Sequence, residues 1–479
     1  KRRIGKIKMK ILLIDSPQKS VYGNLKEAFS KHPNLGLMHI SANLKKEEHD
    51  IRVIDPEIQE INIDKLKDII NSFKPNIAGF SSMTSTIPWV YSTVKVVKAM
   101  NQKIITILGG YHATALPERT LKECPELDIT AMGEGEYTLL ELANNMDKDK
   151  IKGIAFRDGK NIVVNEKRPL LMNLDLLPMP DWDCLPLEKY KPHLHRSKSL
   201  KWTCVALSRG CPYDCYFCSS KIINQRMYRK HSVERVMEIF LELKKRGFDY
   251  IRIVDDEFAL DQQWVHSICD RIIENRLEIK WDCNGRINLV NKDLLTKMKK
   301  AGCDSVFYGC ESGSQEILDK MNKKITTQQI TETVTLTHKV GLNADLSWII
   351  GNYWDNKETI METINLAKKL NKYANNQYIN FAIPLPGSLF WELVAKENKA
   401  CYDWSKYTLQ NEPIYIPKNM TKQELMHLMS LAHKKIFMSP TLVWNKLKKI
   451  RSLDDLTSNI KGFFILNKAI KQWKGKSSS

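Results

Sequence analysis

The sequence predicts an α/β protein: a doubly wound parallel domain, then a larger partial barrel of βα units, then a helical extension. Three observations carry that prediction. In the first 150 residues, short aliphatic runs ending at an acid, a serine or paired glycines alternate with amphipathic stretches. Six further runs of the same kind follow residue 201. Between the two series, Leu177-Pro178-Met179-Pro180-Asp181-Trp182-Asp183 is too rich in proline for a regular helix and reads as a bridge.

At 479 residues the chain is long enough for two sizeable cores, and 43% hydrophobic with 27% charged residues is a globular composition. No uncharged apolar run approaches the roughly 18 residues needed to span a bilayer, and no apolar signal segment follows the basic start, so a cytoplasmic location is expected. Of the net charge of +19, the six basic residues within 1–10 and the nine basic against two acidic residues within 440–479 account for about +13. Basic tails of this kind bind nucleic acid, anionic lipid or anionic substrates, or are simply solvated, so the charge names no partner.

The first series of runs comprises residues 10–15, 51–56, 77–81 and 104–108. Their continuous apolar character is that of strands buried on both faces, and a helix over 88–101 places Val90, Val94, Val97 and Met100 on one face. In a doubly wound sheet, ligands sit beyond the carboxyl ends of the strands. The loops there carry Ser81, Ser82 and Thr84, then Gly109, Gly110, His112 and Thr114, then Gly133 with Glu134. Paired glycines let backbone approach a ligand, and hydroxyls at helix starts bind phosphate. Taken singly, each of these is equally a tight turn or a satisfied loop residue.

The second series, at 203–208, 251–255, 279–283, 305–310, 346–350 and 378–383, gives six parallel βα units and suits a partial barrel. One intervening helix is expected to start at the cap Ser232, to present Val236, Ile239, Phe240 and Leu243 on one face, and to stop at Gly247. The strand ends, which face the site in parallel barrels, carry Asp255-Asp256-Glu257, Asn284 with Arg286, Glu311-Ser312-Gly313 and Pro384-Leu385-Pro386-Gly387. Cys283, Cys303 and Cys310, with Tyr308 and Trp348, lie near these ends as core or as pocket lining, and buried core is the expectation for the thiols.

Eleven cysteines without a secretion signal argue for thiols or ligands rather than disulfides. Cys211, Cys215 and Cys218 form Cys-x3-Cys-x2-Cys on a Gly- and Pro-bearing loop. Three thiolates at this spacing suit three irons of a four-iron cluster and leave the fourth iron open to a ligand. Structural zinc needs four ligands, and the nearest further cysteine, Cys204, falls inside an expected strand.

In this order the elements resemble the cobalamin-binding radical S-adenosylmethionine enzymes, the family of the anaerobic magnesium-protoporphyrin monomethyl ester cyclase and of many carbon and phosphorus methylases, over about residues 9–450. The resemblance implies a Rossmann-like cobalamin-binding domain at 9–150, a Pro-rich linker at 151–200, a radical core barrel at 201–395 and a helical extension at 396–479. It implies a 4Fe-4S cluster on Cys211, Cys215 and Cys218, and S-adenosylmethionine held by Phe217, Asp255, Asp256, Arg286, Glu311 and Ser312. The methionine amino group is expected at Asp255 or Asp256 and the ribose at Glu311. Cobalamin is expected against Ser81, Ser82, Thr84, Gly109, Gly110, His112, Thr114, Gly133 and Glu134.

Two features depart from the family pattern. The loop Asp15-Ser16-Pro17-Gln18-Lys19-Ser20 lacks the cobalt-ligating His of an Asp-x-His-x-x-Gly motif, a loss common in the radical relatives, and Val254-Asp255-Asp256 replaces the two glycines that often precede the acid. The activity implied first is methylation of an unactivated carbon or phosphorus centre, in which a deoxyadenosyl radical activates the substrate and cobalamin delivers the methyl group. Radical cyclisation or rearrangement without methyl transfer is the alternative. Methylthiotransferases need three further N-terminal cysteines, where this region has Cys124 alone. The implied partners are a small-molecule or lipid-like substrate, anionic in one reading, and a one-electron donor such as flavodoxin or ferredoxin. No nucleic acid is expected. Trp444, Phe463, Phe464, Ile465 and Trp473 with the basic C-terminus read either as a packed helical extension or as a weak membrane-surface contact. A protein of another class, binding nucleic acid or membrane through its basic tails, would leave the cysteine loop unexplained.

Overall fold

The computed structural model describes residues 8–19, 21, 31–191, 201–408, 412–439, 457 and 462. The aromatic and basic residues that suggested a membrane-surface contact lie outside the described residues. Among those described, no helix is long and apolar enough to cross a membrane.

The first sheet contains β1 (Lys10–Asp15), β2 (Asp50–Ile54), β3 (Ile77–Ser81), β4 (Ile105–Gly109), β5 (Ile129–Ala131), β6 (Ile154–Asp158) and β7 (Asn161–Val164). Its order is β2-β1-β3-β4-β5-β6-β7, parallel through β5 and antiparallel at β6 and β7. The register sets Asp15 beside Ser81 and Ser81 beside Gly109, so the loops singled out in the sequence leave one edge of the sheet together. The hairpin β6–β7 falls inside the stretch assigned to the linker and belongs instead to this sheet. Its two-residue turn at Gly159-Lys160 puts Gly159 at φ 58, the local signal that the proline-based boundary passed over.

The second sheet is built from β8 (Trp202–Val205), a small antiparallel ladder of β9 (Ser208–Arg209) with β10 (Arg229–Lys230), then β11 (Tyr250–Ile253), β12 (Lys280–Gly285), β13 (Cys303–Glu311), β14 (Asn343–Ile350) and β15 (Ala374–Phe381). Apart from the ladder it runs β15-β14-β13-β12-β11-β8, six parallel strands in sequence order, the expected partial barrel. The helix Val233–Lys245 follows Ser232, whose side chain accepts the Arg235 N–H, and buries Val236, Ile239, Phe240 and Leu243. Cys283, Cys303 and Cys310 are wholly buried in the core with Trp281, Tyr308 and Trp348. Tyr308 and Trp348 spend their polar atoms there, on Thr337 and Gln377.

The bridge is fastened to both domains. Tyr190 donates from its hydroxyl to Asp55 and accepts the Trp202 indole N–H on its carbonyl. The segment after the barrel divides its packing: Trp391, Trp404 and Tyr407 bury against the N-terminal sheet, with the Trp404 indole donating to Glu123 at 2.7 Å. The helix Lys422–Phe437 returns to the barrel, where Asn371 donates to the Ile436 carbonyl at 2.8 Å.

Beneath the carboxyl ends of β1 and β2, Lys31 sits between Asp15 at 2.7 Å and Asp55 at 2.8 Å, all three side chains almost fully buried. Burial opposes the lysine charge, but the two carboxylates outweigh it and hold Lys31 above its usual pKa. Removing one partner of such a group leaves uncompensated buried charge. Lys31→Met should therefore lower the unfolding free energy by about 3–5 kcal/mol, read as a shift in the urea midpoint at constant slope. A change below about 1 kcal/mol would mean that water relaxes the pair of acids.

Candidate active site between the two domains

The cysteine loop leaves β9 and is held from outside along its length. Gly210, at φ 88, packs so closely on the Met227 carbonyl that a Cβ would collide with it, which explains the glycine before Cys211. The Tyr216 N–H donates to the Met321 carbonyl, the Asn322 amide to the Asp214 carbonyl, and the Tyr216 carbonyl accepts from the Phe390 N–H. Within the loop, the Cys218 N–H donates to the Cys215 carbonyl and the Ser220 N–H to Cys218 Sγ. Burial pushes the Cys211 and Cys218 thiols up to about 11, so iron must displace their protons on binding. Among the described residues, no three Cys, His, Asp or Glu side chains stand close enough together to hold one metal ion. Three thiols spread over one braced loop suit a cluster, whose irons each take one of them.

The three acids after β11 diverge. Asp255 accepts the Leu207 N–H at 2.7 Å and the Ser208 hydroxyl at 2.6 Å, tying β11 to the end of β8, and burial lifts its pKa to about 7. Asp256 accepts the Gly210 N–H at 3.0 Å and the Asn224 amide at 3.1 Å, which fixes the start and the end of the cysteine loop. Asp255 is thereby held on both oxygens, whereas Asp256 takes both bonds on Oδ2 and also lines the cavity described below. Glu257 lies near Cys211, as Asp256 lies near Cys211 and Cys218. Glu257 is buried, burial raises its pKa to about 7 against the opposing pull of Lys323 and Arg286, and its charge is felt at Cys211. Its carboxylate accepts the Ala259 N–H and the Arg286 backbone N–H.

Glu311 reaches the same region through an irregularity. The β13–β14 register slips between Gly309 and Glu311, and Glu311 adopts φ 64, unusual for a residue with a Cβ. The slip brings its carboxylate to Lys323 Nζ at 2.9 Å, and Lys323 lies over the Phe217 ring. Ser312 turns away instead, its hydroxyl 3.1 Å from that of Thr363. Arg286, at the end of β12, places Nη1 3.8 Å from Cys215 Sγ and its guanidinium 3.7 Å from the Tyr213 ring centre.

Opposite the loop, a cavity of about 330 Å³ is walled on one side by Gly79, Ser81, Gly109, Gly110 and Tyr111, and on the other by Ser208, Arg209, Asn224 and Asp256. It runs down between strands past Leu13, Ile107, Ala131 and Leu139. Small residues shape this slot: a Cβ on Gly79 would stand 2.9 Å from Leu13, and Gly133 has no atom within 4 Å of its Cβ position. A glycine-lined mouth above an apolar shaft lets a bulky ligand approach the strand ends closely. Of the expected contacts, Ser81, Gly109, Gly110, Gly133 and Glu134 line it. Ser82, Thr84 and His112 lie behind the wall, where Thr84 meets His112 Nδ1 at 3.3 Å and the imidazole packs edge-on against Trp404. Burial lowers the His112 pKa to about 3. Thr114 braces both glycine turns, donating to the Gly110 carbonyl and accepting the Gly133 N–H.

Three ion pairs join the halves of the cavity. Arg209, two residues before Cys211, contacts Glu134 at 2.7 Å and Glu136 at 2.6 Å, and Arg229 contacts Glu134 at 2.9 Å. Residue-by-residue reading missed Glu257, Lys323, Arg209 and Tyr111. Glu257 stood in plain view in the acidic triplet, whereas Lys323 and Arg209 become visible only when distant segments meet.

Residues 23–143 match the B12 binding domain family and residues 205–373 the Radical SAM superfamily. The chain is 34% identical over 445 residues to an uncharacterised methyltransferase of Pyrococcus horikoshii, covering 91% of this chain and 94% of that protein. It is 29% identical over 402 residues to the anaerobic magnesium-protoporphyrin IX monomethyl ester cyclase of Rubrivivax gelatinosus, covering 81% and 71% respectively. Among solved structures, the radical S-adenosylmethionine methyltransferase TsrM of Kitasatospora setae, with cobalamin and a [4Fe-4S] cluster bound, shares the fold over 99% of this chain and 100% of its own, at 12% identity and TM-score 0.68. OxsB with aqua-cobalamin and S-adenosylmethionine bound matches 89% of this chain at 19% identity and TM-score 0.65, and the match spans 61% of OxsB. The chain therefore belongs to the radical S-adenosylmethionine superfamily, in the group with an N-terminal B12-binding domain, and is a cobalamin-dependent radical enzyme of that group.

Proposed function

We propose that this enzyme methylates an unactivated carbon or phosphorus centre of a small-molecule or lipid-like substrate in the cytoplasm, drawing electrons from a donor such as flavodoxin or ferredoxin. The observation that carries this reading is the shared cavity: its two walls come from the corrinoid-type cleft and from the segments that flank the cysteine loop. When bound, the cluster and S-adenosylmethionine supply a deoxyadenosyl radical, and the corrinoid supplies a methyl group.

The chain's own residues then have separate tasks. Cys211, Cys215 and Cys218 would hold the cluster. Glu257 would take the methionine amino group, since it lies near Cys211 while Asp255 is held on both oxygens by Leu207 and Ser208. Glu311, held by Lys323, would take the ribose hydroxyls, and Phe217 beside it would pack on the nucleoside. Gly79, Ser81, Gly109, Gly110 and Gly133 would accommodate the corrinoid. Arg209 and Arg229 keep the two walls at a fixed separation, the positioning on which transfer between bound groups depends. Radical cyclisation without methyl transfer is the second reading, supported by the extended similarity to the cyclase.

The two readings separate on product analysis. With S-adenosylmethionine carrying a labelled methyl group, a methylase yields labelled product and S-adenosylhomocysteine together with deoxyadenosine, whereas a cyclase yields deoxyadenosine without S-adenosylhomocysteine. Cys215→Ala should abolish deoxyadenosine formation and lower the iron content, and unchanged cleavage would remove Cys215 from the cluster.

Glu257→Gln should weaken S-adenosylmethionine binding about tenfold or more, the loss of one charge-assisted contact. Asp255→Asn should instead lower thermal stability with little effect on that binding, and the reverse pattern in calorimetry would return the amino-group role to Asp255. Gly109 has only Ala131 near its Cβ position, at 3.9 Å. Gly109→Leu should therefore fill the cleft and lower corrinoid retention while leaving iron unchanged; full corrinoid content would show that the ring binds elsewhere.

A further inference from the structure

Arg286 is a buried cation that makes no ion pair among the described residues, although the Glu257 carboxylate feels its charge. It sits at the carboxyl end of β12 and is 5% exposed. Nε donates to Asn288 at 2.9 Å, Nη1 donates to Cys215 Sγ at 3.8 Å, and Nη2 has no hydrogen-bond partner. No carboxylate lies within ion-pair distance of it among the described residues. Lys323, the nearby second cation, is by contrast paired with Glu311. The face of the guanidinium rests on the Tyr213 ring at 3.7 Å.

Stacking fixes the plane of the guanidinium and Asn288 fixes its rotation, so one N–H is aimed at a sulfur of the cysteine loop. Leaving such a cation buried without an ion-pair partner is costly. The group that would supply that partner at this position is a thiolate-ligated cluster. Hydrogen bonds to the sulfurs and net local charge are among the terms that set a cluster's reduction potential.

We propose that Arg286 is a positioning residue that raises the reduction potential of the cluster through a charge-assisted hydrogen bond to Cys215 Sγ. The added electron makes the cluster more negative, and the fixed cation beside Cys215 stabilises that state over the oxidised one. The device makes the cluster easier for an external donor to reduce before S-adenosylmethionine binds. This rests on the assignment of Cys211, Cys215 and Cys218 as cluster ligands. The competing use of Arg286, with Nη2 taking the S-adenosylmethionine carboxylate, predicts no change in potential when that ligand is absent.

The test is an EPR-monitored redox titration of the anaerobic, cluster-loaded full chain without S-adenosylmethionine, for the native protein, Arg286→Gln and Arg286→Lys. The proposal expects a more negative midpoint in Arg286→Gln and a smaller shift in the same direction in Arg286→Lys. Equal midpoints in all three, with weakened S-adenosylmethionine binding in the variants, overturn it in favour of the carboxylate role. Iron and sulfide are measured alongside, so that failure of the native chain to hold a cluster is seen separately as failure of the cysteine assignment. Should the variants lose iron, the native chain labelled with ¹⁵N-arginine decides the matter. Pulsed EPR of its reduced cluster shows a ¹⁵N coupling if Arg286 meets the sulfur, and no coupling overturns the proposal.

Discussion

The site depends on the ion cluster in which Arg209 and Arg229 of the barrel close on Glu134 and Glu136 of the N-terminal domain. Four largely buried charges are costly unless their geometry is close, and here Glu134 accepts Arg229 on both oxygens at 2.9 Å. The position of the cluster matters as much as its strength. Glu134 follows one of the glycine turns of the cleft, and Arg209 precedes Cys211 by two residues. A displacement of one domain is therefore passed directly to the cysteine loop, and the cleft and the loop behave as opposite walls of one chamber.

Around that contact, the polar residues of the site divide into braces and free functional groups. Asp255 is consumed on both oxygens by the start of the loop it supports, Asp256 braces the loop through Oδ2, and Thr114 is consumed by the two glycine turns. Glu257, Arg286 and the Glu311–Lys323 pair keep capacity directed at the thiols. Neighbours in sequence take opposite roles because the chain leaves β11 as an irregular turn, where successive side chains no longer follow the alternation of a strand. The same reasoning applies to β13, where the register slip brings Glu311 to Lys323 while Ser312 bonds to Thr363.

The charge balance near the thiols follows from this arrangement. Acids lie toward Cys211, and two cations lie toward Cys215. An electron added to a cluster held there would meet a field that is uneven across the site, more favourable on the Cys215 side. Of the loop's aromatic residues, Tyr216 is buried against Trp354 and Phe390, and Tyr213 stacks on Arg286.

The sequence by itself determined β1 to β4 and the six parallel barrel strands, because buried parallel strands are continuous apolar runs and helices repeat at 3.6 residues, whereas the order of the first sheet and its β6–β7 hairpin came from the structure. It also determined the cysteine loop, since three ligands within eight positions are a property of the chain rather than of the fold. The edge where Ser81, Gly109 and Gly133 gather was legible for the same reason, as strand ends of one parallel sheet must coincide. Tertiary structure alone decided which polar groups were spent and which were left. The distance from Asp255 to the Leu207 N–H, the pairing of Lys323 with Glu311 and the approach of Arg286 to Cys215 each join residues 12 to 71 positions apart. Hydrogen-bond partners at that separation are set by how strands stack and where a register slips, and no local pattern in the chain encodes them.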